Sequence, residues 1–118
     1  MRLTEISYDL AQPIDGYGPG FFRVGGHLLR GACLVTPYDA GLWAGLEDLE
    51  TPLSLAGQID VLLLGMGADI AHPPKAFRAA FEEAGIGLEV MSSPAAARTY
   101  NVLLSEGRRI AAALLPVG

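Results

Sequence analysis

The chain has 118 residues, 51% of them hydrophobic and 18% charged, with 15 Gly and 8 Pro, which excludes disorder, coiled coil and long bundles and fits one domain, 1–118, with many tight turns. Its formal net charge of −5 opposes a phosphate backbone, so nucleic acid is not an expected partner. The longest charge-free stretches, 51–59 and 110–118, are nine residues each, against the roughly 20 that a membrane-spanning helix needs.

Met1–Leu10 carries Arg2, Glu5 and Asp9 and no apolar run, which predicts no targeting segment. The single Cys33 cannot close an internal disulfide, so a reducing, cytoplasmic address is expected. Gly16–Gly20 reads as a strand-entry turn, although a phosphate-cradling nest has the same composition. Gly25-Gly26 lies between the apolar runs Phe21–Val24 and Leu28–Thr36, a hairpin signal. Leu29, Cys33 and Val35 share one face of the second run with Arg30 on the other, which predicts one half-buried strand with Cys33 turned inward. In 39–60, Leu42, Leu46 and Leu49 have helical spacing and Pro52 stops a continuing helix, giving a turn or two of helix and irregular chain. The acids Glu47, Asp48 and Glu50 read as a wet surface.

Asp60–Gly65 is an acid, four apolar residues and a glycine, the pattern of a strand buried on both faces. Pro73-Pro74 opens a helix in which Phe77, Ala80, Phe81 and Ala84 recur at i, i+3, i+4 and i+7, with Gly85 past its end. Asp69 and His72 read as a bracket for its N-terminus. Gly87–Met91 is a short strand. Ser93 caps a second helix with Pro94 at its first position, Gly107 past its end, and Ala96, Tyr100, Leu103 and Leu104 as its apolar stripe. Arg108-Arg109 marks an exposed turn, and Ile110–Val117 is a last strand. The order defines an α/β fold: a single compact domain with a mixed β-sheet, an antiparallel N-terminal hairpin and a later β-α-β-α-β portion, packed against two main helices.

Gly65-Met66-Gly67 after a buried strand is reminiscent of a dinucleotide turn, but Ile70 replaces the third glycine and Asp69–Pro74 separates the glycines from the helix. The strand-end loop still makes Gly65 and Gly67 pocket candidates. Arg98, Asn101 and Ser105 form a polar row on the second helix that either faces solvent or binds an anion or another chain. Tyr100 reads as a core aromatic with its hydroxyl at the rim. His27 and His72 stand 45 positions apart without a second ligand at metal spacing. No nucleophile, base and orienting group occur together, so no catalytic residue, metal or cofactor is expected.

Gly16–Phe21 with Val24 and Gly26, Leu63–Gly67, Gly85–Gly87, Glu89–Met91, Arg98–Leu103, Glu106–Arg108 and Ala111–Leu114 resemble a family of small domains of unknown function that includes the mitochondrial complex I assembly factor 3. The likeness runs over about residues 13–117. It implies a compact α/β domain with a mixed sheet and a chaperone-like role beside a protein partner, here in a bacterial form without a presequence. Carried over by position, the ligand-binding or interface candidates are Gly65, Gly67, Arg98, Tyr100 and Asn101. The expectation is a non-catalytic protein-binding or scaffold domain, with a symmetric homodimer as the natural self-association. The alternative is a small-ligand domain or modest enzyme with an anion pocket near Gly65–Gly67 and Arg98/Asn101.

Overall fold

Gly25 and Gly26 have φ of +56° and +82°, the pair of left-handed positions that a two-residue hairpin turn demands and that a Cβ resists. They join β3 (Phe21–Val24) to β4 (His27–Arg30), and β2 (Ile14–Gly18) lies antiparallel on the other side of β3. This is a computed structural model describing the backbone of residues 6–7 and residues 13–118. The expectation for Met1–Leu10 therefore lies outside the described residues, apart from the two-residue β1 (Ile6–Ser7).

The run read as one strand over 28–36 is two strands in two sheets. The Gly31 amide makes a last rung of the small sheet with Gly20 O at 2.8 Å, and its φ of +108° then takes the chain out of that sheet and into a larger one as β5 (Cys33–Val35). A conformation open to glycine redirects the chain here without a long loop. The stretch expected to begin a helix at Leu42 is instead β6 (Asp39–Leu42), antiparallel to β5. Pro52 does not stop a helix. It stands in the first turn of α1 (Glu50–Leu53), where a missing N–H has no partner to lose. Asp48 accepts from Thr51 N at 3.0 Å, and Trp43 Nε1 donates to Asp48 O at 2.9 Å, which fixes this connector.

The later elements follow the predicted alternation: β7 (Val61–Gly65), α2 (Lys75–Glu83), β8 (Gly87–Met91), α3 (Ser93–Ser105) and β9 (Ile110–Leu114). Both helices stop on glycine. Gly85 and Gly107 have φ of +76° and +74°, and Ile86 N and Arg108 N reach back to Phe81 O and Leu103 O at 3.0 Å, closing the last turns in Schellman fashion. At its start α2 has no side-chain cap, so the expected Asp69–His72 bracket is not formed; Pro73 and Pro74 set the entry without it. The last strand ends at Leu114, short of the expected Val117: Leu115 N gives Gly65 O the last rung of the parallel ladder at 2.9 Å, and Pro116 has no N–H to add another.

The large sheet has the order β1-β6-β5-β9-β7-β8, with β7 parallel to both β8 and β9 and the remaining pairs antiparallel. The α/β class and the mixed sheet hold, and the N-terminal hairpin forms a separate three-stranded sheet. From β7 the chain crosses one way to β8 and from β8 the other way to β9. Two crossovers of the same hand must therefore lie on opposite faces. One face buries Cys33, Val35, Leu63, Ala112 and Leu114 under α3 and the small sheet. The other buries Leu34, Leu62, Leu64, Ala111 and Ala113 under Trp43, Phe77 and Phe81. The alternation along each strand is the period of two expected of a two-sided sheet.

Candidate functional site

Gly65 ends β7 because nothing larger fits. A Cβ there would lie 2.6 Å from Ser93 Oγ, 2.7 Å from Ser93 Cα and 2.9 Å from Leu114 Cδ2. Ser93, fully buried, is the centre of the contact. Its hydroxyl accepts from Gly67 N at 2.9 Å and donates to Leu115 O at 2.6 Å, while its amide donates to Gly67 O at 2.7 Å. Met66 N adds a bond to Met91 O at 2.9 Å. One side chain thus ties together the ends of β7, β8 and β9.

The N-cap of α3 is one residue earlier than expected. Ser92 accepts from Ala95 N at 3.3 Å, which frees Ser93 for the buried role and puts Pro94 in the second helical position. At this helix end, the Ser93 amide is used by Gly67, Pro94 has none, Ala95 is capped, and Ala96 N bonds Ser92 O at 2.9 Å. A helix N-terminus binds anions through spare amides, and here each of the first four positions is spent or lacks one. The crevice at the carboxyl ends of β7 and β8, where opposed crossovers open a ligand site in α/β sheets, is filled by Ser93.

The five candidate positions separate. Gly65 and Gly67 are buried in this junction, and Tyr100 is fully buried in the core, away from the rim where its hydroxyl was expected. Asn101 turns to β2: its Oδ1 accepts from Ile14 N at 2.8 Å and its Nδ2 donates to Ile14 O at 2.9 Å. Ser105, exposed, donates back to Val102 O at 2.6 Å. Arg98 is exposed and makes no hydrogen bond or ion pair with the described residues. One turn on, Val102 is 56% exposed, which gives the outer surface of α3 a guanidinium beside an apolar side chain.

At the far end of β7, about 13 Å along the strand, lies a cleft of about 700 Å³. It wraps the end of the large sheet, with Leu34 and Ile59 from one face and Leu104 and Ile110 from the other. Its mouth carries Tyr38, 71% exposed, with Arg108 and Arg109. Arg109 is held by Gly57 O at 3.0 Å and by Asp60 at 3.3 Å. Asp39 accepts from Thr36 Oγ1 at 2.9 Å. Three segments distant in sequence, 34–39, 51–59 and 104–110, build this cleft, and the sequence marks only the exposed turn at Arg108-Arg109. Among the described residues no group of three or more His, Cys, Asp or Glu is placed to hold a metal ion, and no helix is long and apolar enough to cross a membrane.

A two-faced mixed sheet whose carboxyl-end crevice is sealed from within defines a small α/β domain built around buried packing. Residues 14–115 match the family described as protein of unknown function (DUF498/DUF598), and the chain belongs to that family. An uncharacterized protein of Rhodobacter capsulatus is 57% identical, covering 99% of this chain and 94% of its own length. The NADH dehydrogenase [ubiquinone] 1 alpha subcomplex assembly factor 3 of Danio rerio is 34% identical over 87% of this chain, and that of Homo sapiens 29% over 98%. The chain spans 63% and 67% of those two proteins. Among solved structures, a protein of Bartonella henselae described as an outer membrane protein has TM-score 0.85 and 36% identity, covering 97% of this chain and all of that one. A Mth938-like domain of Bordetella pertussis has TM-score 0.77 and 26% identity, covering 100% and 94%.

Proposed function

We propose that this chain is a protein-binding assembly factor, a domain that holds a partner polypeptide while a larger complex is put together. The observation that carries the reading is kinship with assembly factors named for NADH dehydrogenase over 87–98% of the chain. The sealed crevice at Gly65–Gly67 supports it over a small-ligand pocket there, since the donors such a pocket needs are used within the fold. We place the contact surface on the outer side of α3, around Arg98 and Val102, where a cation and an apolar side chain are open together. Guanidinium groups beside apolar surface are favoured at protein interfaces. A cytoplasmic address accompanies the reading, supported by the lone, buried Cys33, and self-association as a symmetric dimer is open to light scattering.

Affinity purification of the tagged full chain from its own cells at low salt, followed by mass spectrometry, tests the proposal. The expected outcome is a specific protein recovered with the native chain and lost with Arg98→Ala, a change to an exposed side chain that leaves the core untouched. A small molecule retained without any protein would sink the reading.

A further inference from the structure

We propose that the cleft at the amino ends of β7 and β9 binds an extended segment of the partner polypeptide that carries a carboxylate next to an apolar side chain. The inference rests on the protein-binding reading above and assigns it a second contact. The cleft's volume of about 700 Å³ is that of a site able to enclose a ligand of several side chains. Its floor is apolar, with Leu34, Ile59 and Ile110 buried and Leu104 half-buried, and it can take an aliphatic side chain out of water. Its mouth is cationic in a chain of net charge −5. Arg109 is engaged by Asp60 and Gly57, whereas the exposed Arg108 guanidinium makes no hydrogen bond or ion pair with the described residues. The Asp39 carboxylate, which would oppose an acid, accepts a hydrogen bond from the Thr36 hydroxyl at 2.9 Å, and Thr36 Oγ1 in turn accepts from Asp39 N at 3.0 Å, so this acid is held in its own turn. A planar guanidinium offers a carboxylate two parallel hydrogen bonds. The exposed Tyr38 ring beside it supplies a flat amphipathic surface of the kind enriched where peptides dock. A phosphate backbone would meet the acidic remainder of the surface, and the charge balance favours a local acid over a long polyanion.

Site-directed photo-cross-linking of the full chain in its own cells tests this. Tyr38→benzoylphenylalanine reports on the cleft and Val102→benzoylphenylalanine on the outer surface of α3, and the linked peptides are sequenced by mass spectrometry. The expected result is an adduct through position 38 whose peptide carries Asp or Glu beside the linked residue. Its yield should fall at least about tenfold with Arg108→Glu and be largely kept with Arg108→Lys. Capture through position 102 alone, a position-38 peptide without an acid, or a position-38 yield indifferent to Arg108→Glu overturns the cleft assignment and leaves the protein-binding reading standing. Capture of no protein at either position overturns both.

Discussion

Asn101 and Ile14, 87 positions apart, form a two-point contact in which the side-chain amide satisfies both backbone groups of the strand residue, accepting from its N–H at 2.8 Å and donating to its C=O at 2.9 Å. The amide stands where another strand's peptide would, so α3 completes the edge of β2 and joins the small sheet to the large one. Replacing it leaves two part-buried backbone groups without partners. Asn101→Ala is therefore expected to cost about 1–3 kcal/mol, read as a lower denaturation midpoint. An unchanged midpoint would show that water replaces the amide at no cost. The result also bears on the polar row on α3, because an effect of Asn101→Ala on partner recovery must first be separated from its effect on folding.

A second prediction concerns Gly65 and Ser93. Ser93→Ala removes the hydroxyl between Gly67 N and Leu115 O and should cost about 1–3 kcal/mol. Gly65→Ala places a methyl group 2.7 Å from Ser93 Cα, a backbone atom that no rotamer change can move, and should cost about 3 kcal/mol by overpacking. Since the obstruction is Cα as well as Oγ, combining Gly65→Ala with Ser93→Ala should not restore stability. Recovery in the double variant, measured by chemical denaturation, would mean that the hydroxyl alone excludes the methyl.

What was legible in the sequence is what local chemistry determines. Gly25-Gly26 specifies a turn by itself, Pro73-Pro74 and Gly85 bracket a helix with a clear apolar stripe, and an apolar run ending in glycine marks β7. The division of 28–36 at Gly31 was hidden because both halves keep the same alternation, and only the choice of sheet distinguishes them. Ser92 and Ser93 are equivalent as caps on spacing. Their roles divide according to which hydroxyl faces Gly67 and Leu115, a tertiary relation. Asn101 looked available because helical spacing puts it beside Arg98, while the strand that uses it begins 87 residues earlier. The cleft depends on three segments meeting and leaves no local pattern.

The helix-stop glycines give a third prediction of a different physical kind. Gly107 has φ +74° and nothing within 4 Å of a would-be Cβ, so a substitution meets only backbone strain and no steric block. Gly107→Ala should cost about 1 kcal/mol, and Gly107→Asn less, since asparagine tolerates the left-handed region. Gly85, with φ +76° and equally open surroundings, should behave alike. Thermal unfolding of the two alanine variants would reveal a packing role if either lost several times as much.

The fourth prediction is a pH dependence. Cys33 is fully buried in the large sheet, and burial pushes its thiol up to about 12, because a thiolate there would lose its hydration. The folded state therefore holds the proton more tightly than the unfolded chain, where a thiol titrates near ~8.5. Below that value both states are protonated and the full stability is present. Above it the unfolded chain sheds a proton that the native state keeps, so stability falls as pH rises toward about 12, with a limiting slope of about 1.4 kcal/mol per pH unit from this group. Comparing denaturation midpoints of the native chain and Cys33→Ala between pH 8 and pH 10.5 isolates the term, since every other ionisable group is common to both and cancels. The native chain should lose more stability over that interval than the variant, and its thiol should stay unreactive toward alkylating reagents until the protein unfolds. Parallel curves for the two proteins would mean that the sheet opens locally around β5 and lets the thiol titrate as it does in water.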